Sequence, residues 1–167
     1  MTDVRKIAFI GTKGINLESD SFGGFETVVT ELAPRLVANG FDVTVYCRKK
    51  LYSTKIYPKE INGVKLKYLT SVETKNLGTL SNSLLAVVDA IKNNNDIFIL
   101  FNLGLGIYIP LIKLFNKFII TNLDGIEWER SKWSKLAKVI FKFGASLNVK
   151  YADLLIADAE AIKDIYI

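Results

Sequence analysis

Histidine is absent from this chain of 167 residues, and much catalytic chemistry is excluded with it. No Ser-His-Asp triad, no imidazole general base and no zinc site of mixed Cys/His ligation can be assembled. Acid–base work falls instead to Asp, Glu, Lys or Tyr. The one cysteine, Cys47, rules out an intrachain disulfide and fits a reducing compartment. With no histidine to activate it, Cys47 is expected to be buried rather than catalytic. Residues 1–6 lead straight into an apolar strand, so no secretory signal is read. The apolar span 97–112 is too short for a membrane helix and is broken by Asn102, Gly104, Gly106 and Pro110. Internal repeats and low-complexity tracts are not evident. Neither G-x-G-x-x-G nor G-x-x-x-x-G-K-[ST] occurs. The first loop offers only Gly11-x-x-Gly14, and the second strand ends in Tyr46-Cys47-Arg48 rather than in an acid. Both count against a nicotinamide cofactor, although Arg48 would suit a 2′-phosphate.

What is present reads as one folded α/β domain. Half of the residues are apolar and the length supports a single sizeable core. Strands are expected at 4–11, 43–47, 64–69, 97–101, 118–122 and 154–157, the run at 97–101 being apolar on both sides. Helices are expected at 24–39, 80–93, 107–115 and 131–150, with a further one opening after Asp158. The first has Val28, Leu32, Leu36 and Val37 on its buried stripe and Gly40 as its stop. The lysine-rich stretch between the second and third strands reads as an exposed connection. This order predicts a Rossmann-like, doubly wound parallel sheet, with ligands at the carboxyl ends of its strands. The last helix stops without a cap, as in a piece of a longer protein.

Gly23-Gly24 is the most informative motif, because it opens the first helix. A glycine pair there admits a ligand close to unpaired N–H groups, an arrangement that favours anions and hence phosphate. The alternative is a pair of ordinary turn glycines. Polar residues also gather after the strand ending at Asn122, namely Asp124, Gly125, Glu127, Trp128 and Arg130, with Trp133 beyond. Carboxylates accept hydrogen bonds from sugar hydroxyls, indoles stack on sugar rings and arginine grips phosphate. Against this, Trp128 and Trp133 could be core, Glu127 and Arg130 a surface i,i+3 pair, and Asp124 an Asx turn.

Lys and Arg number 22 against 17 Asp and Glu, a net charge of +5. Lys132, Lys135, Lys138 and Lys142 lie on one helix, expected to fall largely opposite its apolar stripe of Trp133, Leu136, Ala137, Ile140, Gly144 and Leu147. A solvated face explains them; contact with anionic lipid headgroups or a phosphorylated acceptor is the sharper alternative. No nucleic-acid motif accompanies the charge.

Taken together, several motifs resemble the amino-terminal half of bacterial family-4 glycosyltransferases, in the rhamnosyltransferase-like group. They are Ile10-Gly11-Thr12-Lys13-Gly14-Ile15, Gly23-Gly24-Phe25-Glu26-Thr27, Glu31-Leu32-Ala33, Val43-Thr44-Val45-Tyr46-Cys47-Arg48, Asn122-Leu123-Asp124-Gly125-Ile126-Glu127-Trp128, Arg130-Ser131-Lys132-Trp133 and Lys150-Tyr151-Ala152-Asp153. The loop between Gly14 and Gly23 departs from the Pro-Ala-Arg-Tyr type of that family. Many relatives outside the group carry a histidine where Asp124 stands.

The resemblance implies a GT-B architecture in which this half holds the acceptor and a second Rossmann-like domain, absent here, holds the nucleotide-sugar. It implies retaining transfer, with dTDP-rhamnose the favoured donor, no Asp-x-Asp metal site and no cofactor. On the same ground Asp124 would be catalytic, Gly14, Gly23 and Gly24 would approach the donor phosphates, and Asn102, Glu127, Trp128 and Arg130 would shape the acceptor or sugar pocket. The expected acceptor is a saccharide or lipid-linked saccharide of a bacterial surface polysaccharide. The expected place is the cytoplasm, with peripheral contact at the inner, anionic face of the cell membrane. The alternative function is a non-catalytic module that binds a phosphate-containing ligand or a partner protein.

Overall fold

The computed structural model describes residues 4–15, 23–49, 57–70, 78–123, 125–131 and 133–166. Its elements run β1 (Lys6–Ile10), α1 (Gly24–Ala38), β2 (Asp42–Arg48), β3 (Glu60–Ile61), β4 (Val64–Leu69), α2 (Gly78–Lys92), β5 (Ile97–Phe101), α3 (Ile109–Lys113), β6 (Phe118–Leu123), α4 (Lys135–Tyr151), β7 (Leu154–Ala157) and α5 (Glu160–Tyr166). Among the described residues, the strands form one sheet in the order β3-β4-β2-β1-β5-β6-β7. All pairings are parallel except β3 with β4. The chain winds outward from β1 through β2 to β4, then crosses back to β5 and continues to β7. This is the doubly wound order expected from the sequence.

β1 and β5 are central, so both of their faces are covered. Phe9, Val45, Ile99 and Phe101 pack beneath α1, while Ala8, Ile10, Phe98 and Leu100 pack beneath α2 and α3. Cys47 is buried as expected. The stripe of α1 differs by one position from the expected one. Val29 and Ala33 are its buried centre and Val28 lies outside. The edge of Phe25 against Phe101, with ring centroids 5.3 Å apart, sets the rotation of the helix. Gly40 does end α1, at φ 87°. Its N–H donates to Val37 O and that of Phe41 to Leu36 O, the paired closure of a Schellman turn. Asn94 does the same for α2 at φ 54°, with Asn94 N–H donating to Ile91 O and Asn95 N–H to Ala90 O.

Two expectations are corrected. The connection after β2 contains β3, which turns into β4 through Asn62-Gly63, both at positive φ (49° and 78°). An Asn-Gly pair in that geometry is a hairpin signal, masked here by the lysines around it. The second correction concerns α4. It begins at Lys135 rather than at residue 131, because Ser134 caps it by accepting from Ala137 N–H at 3.3 Å. Its buried face is Ala137, Phe141, Gly144, Ala145 and Asn148, whereas Leu136 is 70 % exposed.

Backbone contact forces that rotation. A Cβ on Gly144 would come within 2.4 Å of Leu103 O, and one on Gly106 within 2.0 Å of Gly144 O. Gly144 therefore has to face the 3₁₀ segment Leu103–Tyr108. Asn148 fastens the contact. Its Nδ2 donates to Leu103 O at 3.0 Å and to Gly144 O at 2.9 Å, while its Oδ1 accepts from Thr121 Oγ1 at 3.0 Å. Both side chains are fully buried.

Asp153 closes the opposite end of β6. It accepts from Ile119 N–H at 2.7 Å and from Lys113 Nζ at 2.6 Å. Burial pushes its carboxyl up, but the Lys113 ammonium and the Ile119 amide outweigh that and hold it below the ordinary value.

Two outcomes are expected. Asn148→Leu removes three buried side-chain hydrogen bonds, the one from Thr121 Oγ1 and those to Leu103 O and Gly144 O, and should lower the unfolding free energy by about 2–4 kcal/mol in urea titration. Because the Asp153 pKa is depressed on folding, its contribution is complete above the free carboxylate value of about 3.9 and is lost as pH falls through the lower folded value. Lys113→Met should therefore be less stable than the parent at neutral pH, with the difference closing as pH falls below the ordinary carboxylate range.

Candidate functional site

The winding reverses between β1 and β5, and a doubly wound sheet opens a crevice at the carboxyl ends of such strands. The loops leaving β1, β5 and β6 stand side by side there. An open hollow of about 640 Å³, lined by Arg5, Lys6, Asn94 and Asp96 among others, lies at the opposite, amino-terminal edge and is remote from this point.

The β1 loop is pressed against β5. Gly11 sits at φ 104°, and a Cβ there would lie 2.1 Å from Phe101 O, so only glycine lets the chain pass. Thr12 is buried, and its Oγ1 has no hydrogen-bond partner among the described residues. Lys13 O accepts from Arg48 N–H at 3.0 Å, which extends the β1–β2 pairing outward. Gly14 follows, buried and at φ 144°.

Where the chain returns, Glu26 organises the helix start. It is 5 % exposed. Its Oε1 accepts from Lys13 N–H at 2.8 Å and its Oε2 from Gly23 N–H at 2.7 Å. One carboxylate thus clasps both ends of the excursion and places a negative charge where the α1 dipole favours it. The Gly23 amide is committed to Glu26. The next two amides, of Gly24 and Phe25, have no acceptor within the helix. Gly24 is exposed, and a Cβ there would meet nothing within 4 Å.

Asn102 leaves β5 at φ 89°, an uncommon conformation for a non-glycine residue, and its Oδ1 accepts from Gly104 N–H at 2.9 Å. It therefore caps the 3₁₀ segment that packs on α4. Asn122, near the end of β6, is buried with its Oδ1 unpartnered among the described residues. Asp124, the expected catalytic carboxylate, lies outside the described residues. Beyond it Glu127 is buried. It accepts from Trp133 Nε1 at 2.7 Å and pairs with Arg130 Nη1 at 2.5 Å. The i,i+3 pair considered from the sequence therefore forms, with its carboxylate inside and the guanidinium 56 % exposed. Trp128 packs edge-on against Tyr166 of α5, and Trp133 packs against Phe141 of α4. Both indoles help to build a small apolar cluster around Leu103 and Leu123.

The structure thus joins Glu127, Arg130 and Trp133 in one polar cluster and joins the ends of the Gly14–Gly23 excursion through Glu26. Asn102 stands at the end of β5, between the loops of β1 and β6. Trp128 is turned toward α5. The clasp by Glu26 is not among the sequence expectations, although its signal is present: a glutamate three residues after the position that caps a helix. Thr12 and Asn122 have only a weak signal, a polar residue at the end of an apolar strand. Among the described residues no group of three or more His, Cys, Asp or Glu gathers to hold a metal.

A family model described as Domain of unknown function (DUF1972) matches residues 4–167. No curated protein matches. Among solved structures the chain is similar to sucrose-phosphate synthase from Thermosynechococcus elongatus, with a TM-score of 0.61 and 16 % identity over 90 % of this chain and 41 % of that one. It is also similar to HepE of Anabaena, solved in complex with UDP and glucose, with a TM-score of 0.59 and 16 % identity over 97 % of this chain and 40 % of that one. The chain spans about two fifths of the length of either structure. At this identity the likeness is one of fold, and the fold is the Rossmann-like half of a GT-B architecture.

Glu26→Gln keeps the shape of the clasp but removes its charge and one of its two acceptor oxygens. Amide hydrogen exchange at Lys13 and Gly23 should accelerate about tenfold, with a stability loss of about 1–2 kcal/mol.

Proposed function

For a chain that belongs to the family described as Domain of unknown function (DUF1972), we propose the role of acceptor-side half of a glycosyltransferase. The reaction class is transfer of a sugar, rhamnose from dTDP-rhamnose in the favoured case, to a saccharide or lipid-linked saccharide of a bacterial surface polysaccharide. The crevice between β1, β5 and β6 carries this reading. Two buried polar atoms beside it, Thr12 Oγ1 and Asn122 Oδ1, have no partner among the described residues. Buried hydrogen-bonding atoms of that kind call for a ligand or an ordered water. Support comes from what the similar folds handle: one is a sucrose-phosphate synthase, and the other was solved with UDP and glucose.

In this reading a second Rossmann-like lobe brings the nucleotide-sugar to the crevice and closes it. The transfer builds up positive charge on the sugar ring and negative charge on the departing diphosphate. Asp124 stands near the reacting sugar. The diphosphate approaches Gly14 and the amides of Gly24 and Phe25, because the Gly23 amide is already taken by Glu26. Fixed amides of this kind act most strongly in a closed, dry cleft. Glu127 holds the guanidinium of Arg130 in position at the rim, where it meets donor or acceptor oxygens. Asn102 and Trp128 shape the wall. The reaction is retaining and runs without a metal on an Asp-x-Asp motif.

The test is turnover of the complete gene product with dTDP-rhamnose, UDP-glucose and other sugar nucleotides on lipid-linked saccharide acceptors. Transfer is expected from the complete product and little from this chain alone. Asp124→Ala should lower kcat by about 10²–10³ while donor affinity, measured by calorimetry, changes little. Donor binding without transfer to any acceptor would assign the chain to the binding modules instead.

A further inference from the structure

The outer face of α4 combines what the sequence pattern had placed apart. Leu136, Val139 and Phe143 are 70, 65 and 59 % exposed. At 100° per residue, Val139, Phe143 and Ser146 share one side with Lys135, Lys142 and Lys150, and Leu136 and Lys138 flank them. Val139, Lys142, Phe143 and Ser146 line a shallow hollow of about 340 Å³. From Lys135 to Tyr151 the helix has four lysines and no acid. Among the described residues none of these lysines forms an ion pair, and Lys150 lies 5.1 Å from the Tyr151 ring centroid.

We propose that this face is a peripheral docking surface for a bilayer containing anionic lipid. Charge complementarity selects that occupant. Unpaired ammonium groups beside large apolar side chains match a surface that presents phosphate at one depth and hydrocarbon just below it. Leu136, Val139 and Phe143 enter the boundary between headgroups and acyl chains, and the lysine stems lie along it with their ammonium groups on lipid phosphates. The helix, roughly 25 Å long from its 17 residues, lies in the plane of the interface. Among the described residues no helix is long and apolar enough to cross a membrane, so the contact is peripheral. Gly144 and Asn148 anchor the opposite side of α4 to the domain, so docking needs no rearrangement of the fold. The surface stands on α4 alone and does not depend on the glycosyl-transfer reading.

Sedimentation with vesicles tests it. The protein should pellet with vesicles of phosphatidylcholine containing about a third phosphatidylglycerol, less so as salt rises, and not with pure phosphatidylcholine. Lys138→Glu with Lys142→Glu, and separately Val139→Ser with Phe143→Ser, should each weaken partitioning by about tenfold or more at an unchanged melting temperature. Lys59→Glu, beside the far edge strand β3, should bind like the parent. Absence of binding to anionic vesicles would overturn the proposal, as would equal binding by the α4 variants. Self-association abolished by Phe143→Ser, with no vesicle binding, would assign the face to a second copy of the chain instead.

Discussion

The domain depends on a place where two stretches of backbone touch. Gly106 and Gly144 bring the 3₁₀ segment after β5 against α4 so closely that no side chain fits between them. Asn148 fastens the contact by donating both amide hydrogens to carbonyls on its two sides, of Leu103 and Gly144, and by accepting from Thr121 with its own oxygen. This one side chain ties β6, α4 and the exit of β5 together. The loops that leave β5 and β6 are therefore held by buried hydrogen bonds rather than by loop packing alone. Preorganisation of that kind is what a ligand crevice at a switch point needs.

On the other side of the crevice, the same result is reached with a charge. Glu26 sits at the start of α1, where a helix favours an anion, and satisfies amides from both approaching strands of chain. A helix start that already holds a carboxylate differs from an empty anion site. The positive end of α1 is partly neutralised from within, so a phosphate arriving nearby relies on the amides that remain. Glu127 follows a related logic after β6, as a buried carboxylate fixed by an indole N–H with its partner Arg130 reaching outward.

Much of the architecture was legible in the sequence, because it rests on period and punctuation. Doubly apolar strands such as 97–101, the stop at Gly40 and the alternation of strand with helix are local signals that tertiary packing did not override. The rotation of α1 and α4 about their axes was not legible in the same way. Periodicity gives the spacing of a buried stripe, whereas its phase is set by the partner: Phe101 for α1, and the 3₁₀ segment for α4. β3 was hidden because lysines around the Asn62-Gly63 turn made the stretch read as exposed loop. In the site, the pairing of Glu127 with Arg130 and the packing of the two indoles were among the readings weighed from spacing. The unsatisfied oxygens of Thr12 and Asn122 were not, since only the assembled sheet defines what is out of reach of water.

Clasping by Glu26 also bears on how this domain can change. A chain excursion whose two feet are held by a single side chain is closed at its base, and the closure entropy of such a segment rises only slowly with its length. Beyond Gly14 and the core residue Ile15, a change in the length of the interval up to Gly23 is therefore expected to leave the register of β1 and the seat of α1 in place. For protein engineering, that makes the interval a grafting point, where the rim of the crevice can diversify while the scaffold stays still.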